Sequence, residues 1–412
     1  MSHPSFLFDD TSLFANRRIH LSVTGSVACY KTCDLVRAFR RLGMHVSVTL
    51  SYGALSFVQP LLFEALGAIP VYSDAAKHKE GPFAHLEPGE TAECMLIAPL
   101  SANMLAKLAN GMACDLVSTQ ALAFSGPLLL APAMNPKMWH HPAVQANLAK
   151  LTERGAFCVY PGSGVMACGD VGQGKLACVE ELVWAVLRSL APQDMAHKKV
   201  LVTLGSTREY WDDVRFLSNP SSGRMGCSLA LSAWLRGATV HMLCGEHIAF
   251  SLPSGIIRHS VTSATEMFQC AKELWPEMDY GMFSAAVADF APEKVSGKIK
   301  KTECQDTMTL TLHRNPDILA SLANEARAHQ KILAFAAETT DSMADLLPLA
   351  KEKCARKGAT LLCANRVNAK DSGFVSAKNT VLMVNNHGLE LYLPTMNKSD
   401  LAWRLSSCLL EQ

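Results

Sequence analysis

The chain has no uninterrupted apolar run long enough to cross a membrane, although 49% of its 412 residues are hydrophobic. Such a span needs about 18 consecutive apolar residues. The first residues, MSHPSFLFDDTSLF, also lack the basic segment and long apolar core of a signal peptide. These absences predict a protein without membrane contact, and we expect it in the cytoplasm.

The sequence is also poor in charge of either sign. Charged residues make up 18% of the chain, and the formal net charge is +1. A near-neutral chain has no broad electrostatic footprint for nucleic acid, so we expect no nucleic-acid partner. Fourteen cysteines are present, but none forms a CxxC pair or a Cys/His zinc spacing. We therefore expect reduced thiols, mostly buried as small hydrophobic side chains.

Two common nucleotide-binding fingerprints, GxGxxG and the Walker A motif, are absent. The alternation of apolar runs and helical stretches nevertheless begins as strand, helix and strand over residues 19–50, which predicts a doubly wound α/β sheet. Gly25 and Ser26 follow the first strand, where a helix N-terminus could hold one phosphate. The alternative is an ordinary turn in which Ser26 caps the helix.

Small polar residues follow two further predicted strands. Residues 95–98 precede Ser101 and Asn103, and residues 128–131 precede Met134 and Asn135. In a parallel sheet, the carboxyl ends of such strands share one edge, where ligands bind. Three junctions of this kind predict one site for a flat, phosphorylated cofactor. The alternative for Asn135 is a cap on the following turn.

Two residues outside these junctions are candidates for proton transfer. His85 lies in a loop-like segment, and the pKa of histidine is close to neutrality. Cys168 lies in residues 162–175, where five glycines in fourteen positions predict a mobile flap instead of a packed element. A thiol on such a flap can deliver a proton to a bound substrate. The alternatives are a surface or capping histidine and a cysteine without a role.

In their order and spacing, these features resemble the flavin-containing cysteine decarboxylases, and more narrowly the phosphopantothenoylcysteine decarboxylase domain. The resemblance covers residues 17–190. The features are the Gly-Ser turn, His85, SAN at 101–103, PAMN at 132–135 with Met138, and the glycine-rich segment around Cys168.

The resemblance implies FMN chemistry on a terminal cysteine. Oxidation of the thiol side would make CO2 a good leaving group, and reduction would then give 4′-phosphopantetheine. His85 would serve the oxidation, Asn135 would hold the substrate carboxylate, and Cys168 would donate the final proton. The flavin sites would lie between the subunits of a trimer. The residues implied in FMN binding are Gly25, Ser26, Ser101, Asn103 and Met134.

The helical pattern breaks at residues 191–197, and a new strand begins at Lys199. We therefore predict two domains, residues 1–190 and 191–412. Strands and helices alternate again in the second domain, which predicts another doubly wound sheet. Two loops could hold phosphate there: residues 205–207 after the first strand, and residues 221–224, where Arg224 and a helix dipole would help.

A second group of candidate residues follows the strand at 280–284. Ala285, Ala286 and Ala288 would leave room for a base or ribose, and Asp289 could bind a ribose hydroxyl or a metal. A basic cluster comes next: Lys298, Lys300 and Lys301. Beside an anion site these lysines would clamp a triphosphate; the alternative is a solvated face.

Residues 198–410 resemble the phosphopantothenate–cysteine ligase domain, which often follows the decarboxylase in bacterial chains. The implied reaction uses CTP and Mg²⁺ to convert 4′-phosphopantothenate into an acyl-cytidylate, from which the amine of L-cysteine displaces CMP. Asn219 would contact this intermediate, and Lys298 would neutralise phosphate charge. Asp289 is the candidate Mg²⁺ ligand. The residues implied in CTP binding are Ala285, Asp289, Lys298, Phe335 and Lys357.

The combined expectation is a bifunctional coenzyme A biosynthesis enzyme with two Rossmann-like domains, an N-terminal flavoprotein fold and a C-terminal ligase domain. It would form homo-oligomers, with trimers through the flavin domain and dimers through the ligase domain. One alternative is an active decarboxylase whose second domain is only a dimerising scaffold; another is a flavin-binding regulatory protein without turnover. Departures from the ligase pattern at residues 204–207, Arg224 and Arg366 leave altered nucleotide preference open.

Overall fold

The computed structural model describes residues 11–74, 83–245, 248, 250–300, 307–366 and 376–412. The chain divides into two compact units, Thr11–Ala191 and Pro192–Gln412, which are described separately below. Each unit is built on a largely parallel sheet with helices between its strands, which confirms the predicted α/β class. Lys301 of the predicted basic cluster lies outside the described residues.

The first unit contains a six-stranded, fully parallel sheet in the order β3-β2-β1-β4-β5-β6. Its strands are β1 (Arg18–Val23), β2 (His45–Leu50), β3 (Val71–Ser73), β4 (Cys94–Leu100), β5 (Leu128–Pro132) and β6 (Phe157–Cys158). The direction of winding reverses between β1 and β4. In a doubly wound sheet this reversal opens a crevice at the carboxyl ends of the strands.

Helices of the first unit connect these strands. They are α1 (Thr32–Arg41), α2 (Pro60–Ala65), α3 (Glu87–Thr91), α4 (Ala102–Ala109), α5 (Leu116–Ala123), α6 (Pro136–Trp139), α7 (Pro142–Glu153) and α8 (Val179–Leu190). All seven residues of β4 are buried, as expected for a central parallel strand with helices on both faces.

Three local features of the first unit differ from the sequence expectation. The first helix is divided, because a 3-10 turn (Val27–Lys31) precedes α1. Strand β4 does not end at Pro99 but continues to Leu100, with a shift in its pairing to β5 after Ile97; proline has no N–H for the ladder. The glycine-rich segment is a paired hairpin of β7 (Gly162–Val165) and β8 (Val171–Lys175), and this regular backbone pairing was not predicted.

The second unit repeats the same winding and extends it. Its eight-stranded sheet has the order β13-β12-β9-β14-β17-β18-β19-β20, and the first six strands of that order are parallel. The last two are antiparallel additions at one edge. These eight strands are β9 (Lys199–Leu204), β12 (Thr239–Cys244), β13 (Ile257–Ser260), β14 (Tyr280–Phe283), β17 (Lys331–Glu338), β18 (Leu361–Arg366), β19 (Lys378–Val384) and β20 (Glu390–Asn397).

Smaller elements complete the second unit. Two short antiparallel pairs are β10 (Glu209–Tyr210) with β11 (Phe216–Leu217), and β15 (Phe290–Pro292) with β16 (Leu312–Arg314). The helices are α9 (Arg224–Leu235), α10 (Ala264–Leu274), α11 (Ile318–Asn324), α12 (Met343–Lys357) and α13 (Lys398–Leu410). The winding reverses between β9 and β14, so a second ligand crevice is expected at their carboxyl ends.

The thiols fit the expected reduced state. Thirteen cysteines fall within the described part of the chain; all are free, and seven of them are buried. In the same part of the chain, every helix is too short or too polar to traverse a lipid bilayer.

Candidate functional site

The ends of β1 and β4 are joined at the reversal point of the first sheet by Thr24. Its hydroxyl donates to the carbonyl oxygen of Pro99 at 2.7 Å and accepts the backbone N–H of Ser101 at 2.9 Å. This buried contact holds the two loops that carry Ser26 and Ser101 side by side. Two of the three predicted junctions therefore meet at the carboxyl edge of the sheet.

Both serines act as helix caps. The Ser26 hydroxyl accepts the N–H of Ala28 at 3.4 Å, and the Ser101 hydroxyl accepts the N–H of Met104 at 3.3 Å. The capping alternative is thus correct for Ser26, but a cap does not prevent the remaining N–H groups of a helix start from binding an anion. Asn103 is exposed in the first turn of α4.

Gly25 lies where the loops after β1 and β2 come close together. A Cβ at this position would lie 3.1 Å from the backbone of Gly53. The absence of side chains at both positions leaves the backbone accessible where the first helical turn begins. Backbone N–H groups, hydroxyls and small residues at this edge suit a phosphorylated flat cofactor.

Asn135 follows β5 and is held in a defined orientation. Its side-chain oxygen accepts the N–H of Lys137 at 2.9 Å, which makes it the cap of α6 as well. Its Nδ2 donates to the Asp170 carboxylate at 2.6 Å and lies 3.5 Å from the Cys168 sulfur. The structure therefore brings together two residues predicted separately, Asn135 and Cys168, and adds Asp170, which sequence reasoning missed.

The hairpin of β7 and β8, hereafter the lid hairpin, places Cys168 beside Asn135. Cys168 lies in its exposed turn, which is closed by the N–H of Met166 donating to the Asp170 carbonyl at 2.8 Å. At its base, the N–H of Met134 donates to the Gly174 carbonyl at 2.9 Å. Together with the contact between Asn135 and Asp170, this bond attaches the lid hairpin to the loop after β5.

His85 is half-buried in the turn before α3. Among the described contacts, no hydrogen bond links it to Asn135 or Cys168. Its turn is held in place by Gln120, which is buried. The Nε2 of Gln120 donates to the Ala84 carbonyl at 2.8 Å. The Gln120 oxygen in turn accepts the Thr49 hydroxyl at 2.7 Å. No sequence signal indicated this support, because Gln120 lies within α5 without a recognisable motif.

The second unit contains a cavity of about 1220 Å³ at the carboxyl ends of β9, β14 and β17. It is lined by residues from the loops after those strands and by the first turn of α9. Five of the residues predicted to bind nucleotide or intermediate line it: Asn219, Ala285, Asp289, Phe335 and Lys357. Asn219 is anchored there because its Nδ2 donates to the Val287 carbonyl at 3.0 Å.

One end of this cavity is formed by the start of α9. Gly223 has a left-handed backbone (φ +70°), and its N–H donates to the Ser221 hydroxyl at 3.3 Å. The Arg224 guanidinium lies 4.9 Å from the centre of the Phe250 ring. At Gly226 a Cβ would lie 2.2 Å from the Leu204 Cβ, so glycine permits α9 to pack closely on β9. The predicted cradle at 221–224 therefore faces the cavity.

The other predicted cradle, at residues 205–207, pairs with the loop after β14. The Gly205 carbonyl accepts the N–H of Ala286 at 2.8 Å, and the Thr207 hydroxyl accepts the N–H of Ala288 at 3.1 Å. Thr207 is buried. These contacts tie the loop after β9 to the loop after β14.

Helix α12 brings three cations to the opposite wall: Lys353, Arg356 and Lys357. Lys357 forms an ion pair with Asp317, and Lys353 forms one with Glu338. Burial alone would raise the pKa of Asp317, but hydrogen bonds from Lys357 and from the Ala320 N–H lower it overall. The i, i+3 and i+4 spacing of the three cations was a usable sequence signal for a shared face.

Lys398, at the start of α13, also lines the cavity and was missed. It is only 4% exposed. Burial, with a further contribution from the nearby charge of Arg224, lowers the pKa of Lys398 to about 8. Lysine with such a pKa titrates near physiological pH. No local pattern marks this residue, since only the fold brings α13 to the cavity.

Lys298 is exposed and does not line the cavity. Its loop is tied to residues 212–215: the Arg215 guanidinium donates to the Ile299 carbonyl at 3.2 Å, and the Gly297 N–H donates to Asp213 at 2.8 Å. Asp212 is buried and accepts the N–H groups of Val214 and Arg215 at 2.8 and 2.7 Å. The adjacent acidic pair therefore organises the loop that carries Lys298.

The cavity holds no group of three or more His, Cys, Asp or Glu side chains placed to bind a metal, and neither does the rest of the described chain. Asp289 is exposed at the rim. A single exposed carboxylate does not make a resident metal site.

Comparison with known proteins divides the chain at the same place. The flavoprotein family model matches residues 10–191, and the model of the DNA/pantothenate metabolism flavoprotein C-terminal domain matches residues 195–412. The coenzyme A biosynthesis bifunctional protein CoaBC of Vibrio vulnificus (strain CMCP6) is 36% identical over 394 residues, covering 95% of this chain and 96% of the relative. The protein of that name from Bacillus subtilis (strain 168) is 37% identical over 396 residues, with coverage of 95% and 96%.

Two solved structures each resemble one half of the chain. The C-terminal domain of a coenzyme A biosynthesis bifunctional protein CoaBC gives a TM-score of 0.44 at 30% identity and covers 53% of this chain and 97% of that one. The FMN-dependent cysteine decarboxylase SpaF gives a TM-score of 0.38 at 31% identity and covers 43% of this chain and 99% of that one.

Proposed function

This chain belongs to the family of coenzyme A biosynthesis bifunctional proteins, and we propose that it joins 4′-phosphopantothenate to L-cysteine and then decarboxylates the product to 4′-phosphopantetheine. The matches to both family models and the coverage of whole relatives support two activities in one chain. They do not favour the alternative of a decarboxylase with a scaffold domain.

We assign the decarboxylase to residues 1–190 and the ligase to residues 191–412. The carrying observation is that each unit has a separate site at the carboxyl edge of its own sheet. The first combines Asn135 and the lid cysteine, which suits chemistry on a cysteine-derived acid. The second is a large cavity lined by cations and small residues, which suits a nucleotide and a phosphorylated acid.

The hydrogen-bond donors of the first site are of the kind that FMN needs. Backbone N–H groups near Gly25 and Ser26 would hold the phosphate, and Ser101, Asn103 and Met134 would border the ring. When bound, FMN supplies reversible two-electron oxidation, which would make the cysteine carboxylate labile. The flavoprotein family match supports this cofactor.

The chain's own residues would handle the carboxylate and protons. Asn135 presents its Nδ2 toward the lid and would donate to the substrate carboxylate. Cys168, exposed 3.5 Å from that nitrogen, would give a proton to the decarboxylated product. His85 would exchange a proton during oxidation; because it is not joined to Asn135 by a described hydrogen bond, this role rests on the resemblance alone.

In the ligase cavity, CTP would activate the acid and release pyrophosphate. Ala285 and Phe335 would bound the base and ribose, and Lys357 would contact the phosphates. Asn219 would hold the acyl intermediate, since its amide is fixed at the cavity wall. Lys298 would reach the phosphates from its exposed loop, and Mg²⁺ would enter with the nucleotide and meet Asp289.

We further propose a cytoplasmic homo-oligomer, with trimers through the first unit and dimers through the second. Its free thiols suit a reducing compartment. Several large apolar side chains of the first unit are strongly exposed, among them Tyr52 (78%), Leu61 (72%) and Ile69 (77%). Exposed apolar surface of this kind is often covered by a partner.

Two measurements test the proposal. The purified protein should show the two-banded visible absorption of a flavin and release FMN on denaturation; a colourless protein that takes up no added FMN would overturn the decarboxylase assignment. Addition of CTP, 4′-phosphopantothenate, L-cysteine and Mg²⁺ should release pyrophosphate. No release with either CTP or ATP would overturn the ligase assignment.

A further inference from the structure

The Asn135 amide is held by a different partner at each end. Its oxygen accepts the Lys137 N–H at 2.9 Å, and its nitrogen donates to Asp170 at 2.6 Å. Rotation of the amide by half a turn would exchange the oxygen and the NH2 group. The NH2 group would then face the Lys137 N–H, and the oxygen would face the Asp170 carboxylate. Both flipped contacts are repulsive, so the observed orientation is strongly preferred.

This orientation decides which ligands Asn135 can accept. A carboxylate at neutral pH only accepts hydrogen bonds, so it binds the NH2 end and is repelled by the oxygen. Asp170 uses one of the two N–H bonds of Nδ2. The same nitrogen lies 3.5 Å from the Cys168 sulfur, so its donor end faces the lid cysteine.

We propose that Asp170 is a positioning residue, which holds the Asn135 amide with its donor end toward Cys168 and so prepares it for the carboxylate of the substrate. The proposal rests on the decarboxylase function proposed above. Asp170 acts through Asn135 and does not itself contact the substrate.

Backbone hydrogen bonds within the lid hairpin hold Asp170 in position for this role. Its carbonyl accepts the Met166 N–H at 2.8 Å, and the Gly169 N–H donates to the Met166 carbonyl at 2.9 Å. These bonds close the turn that carries both Cys168 and Asp170. The thiol and the orienting carboxylate are therefore presented to Asn135 by the same hydrogen-bonded turn.

The test uses the full-length FMN-loaded protein and two substrate analogues that cannot be oxidised at sulfur. One is N-(4′-phosphopantothenoyl)-L-alanine, which keeps the carboxylate; the other is the matching ethylamide, which lacks it. Dissociation constants are measured by calorimetry for the wild type, Asp170→Ala and Asp170→Asn. Gln173→Ala is the control for disturbance of the lid hairpin, because Gln173 contacts the Pro161 carbonyl and not Asn135.

We expect Asp170→Ala to weaken binding of the acid about tenfold, the effect of one charge-assisted hydrogen bond, and to leave binding of the ethylamide within about twofold. Asp170→Asn keeps an acceptor oxygen and should retain the preference for the acid, and Gln173→Ala should match the wild type. Equal weakening of both analogues, or no change in either, would overturn the positioning role. Failure of the wild type to bind either analogue would overturn the decarboxylase assignment, and the proposal for Asp170 with it.

Discussion

Gly174 of the lid hairpin lies directly against the carbonyl oxygen of Met134, in the loop that presents Asn135. A Cβ at Gly174 would be 2.3 Å from that oxygen, and the backbone there has φ +149°. Only glycine fits such an approach without displacing the loop. The seating of the lid hairpin, and with it the position of Cys168, therefore depends on this one glycine.

Gly174→Ala should unseat the lid hairpin, because the clash and the backbone strain together exceed about 3 kcal/mol. We expect decarboxylase activity to fall more than tenfold while ligase activity is unchanged. Gly155→Ala is the matched control: Gly155 also has positive φ (+93°), but no atom lies within 4 Å of its added Cβ. Similar losses in both variants would show that the contact with Met134 is unimportant.

Cys168→Ser should separate the two halves of the decarboxylation. The hydroxyl of serine is a much weaker acid than a thiol, so the final protonation should fail while CO2 loss continues. Mass spectrometry should find an oxidised enethiol product two mass units lighter than 4′-phosphopantetheine. Formation of ordinary 4′-phosphopantetheine at the wild-type rate would contradict the role of the lid thiol.

Lys298→Gln should reduce ligase activity by at least tenfold and spare the decarboxylase, because it removes a cation proposed to contact the nucleotide phosphates. Pyrophosphate release and CO2 release are measured on the same preparation. Lys272→Gln serves as control, since Lys272 is an exposed lysine of α10 paired with Glu325. Loss of both activities would instead mark Lys298 as a structural residue.

Lys398→Met should remove a pH-dependent contribution to the stability of the second unit. The pKa of Lys398 is lowered to about 8 by burial, so between pH 8 and about 10.5 the unfolded chain holds more protons and stability rises with pH. Keeping Lys398 charged in the folded state costs about 3 kcal/mol, and this cost is fully present below pH 8. In urea unfolding, the free energy of unfolding of the variant relative to the wild type should therefore fall by about 2 kcal/mol between pH 7 and pH 9.5. An equal difference at both pH values would contradict the lowered pKa of Lys398.

The sequence predicted the architecture because its signals were local. Buried apolar runs such as residues 128–131 and a capped helix such as Ala102–Ala109 are set by near neighbours. The carboxyl-edge rule then located Ser26, Ser101 and Asn135 without knowledge of their contacts. The antiparallel strands β19 and β20 were missed, because no motif drew attention to that edge of the sheet.

The features that could not be predicted from the sequence depend on tertiary contacts. The support of the His85 turn by Gln120 joins residues 36 positions apart in sequence, and Lys398 reaches the cavity only through the packing of α13. The pairing of the loop at residues 205–207 with the loop after β14 also joins residues far apart in the sequence. The glycine-rich composition of residues 162–175 did not indicate the backbone pairing that forms the lid hairpin.

The central claim is that one chain carries out two consecutive reactions at two separate sites. The most direct test is a time course, followed by mass spectrometry, of the purified FMN-loaded protein with 4′-phosphopantothenate, L-cysteine, CTP and Mg²⁺. We predict that phosphopantothenoylcysteine appears first and is then replaced by 4′-phosphopantetheine with release of CO2. Consumption of CTP without either product, or accumulation of phosphopantothenoylcysteine that never declines, would contradict the account.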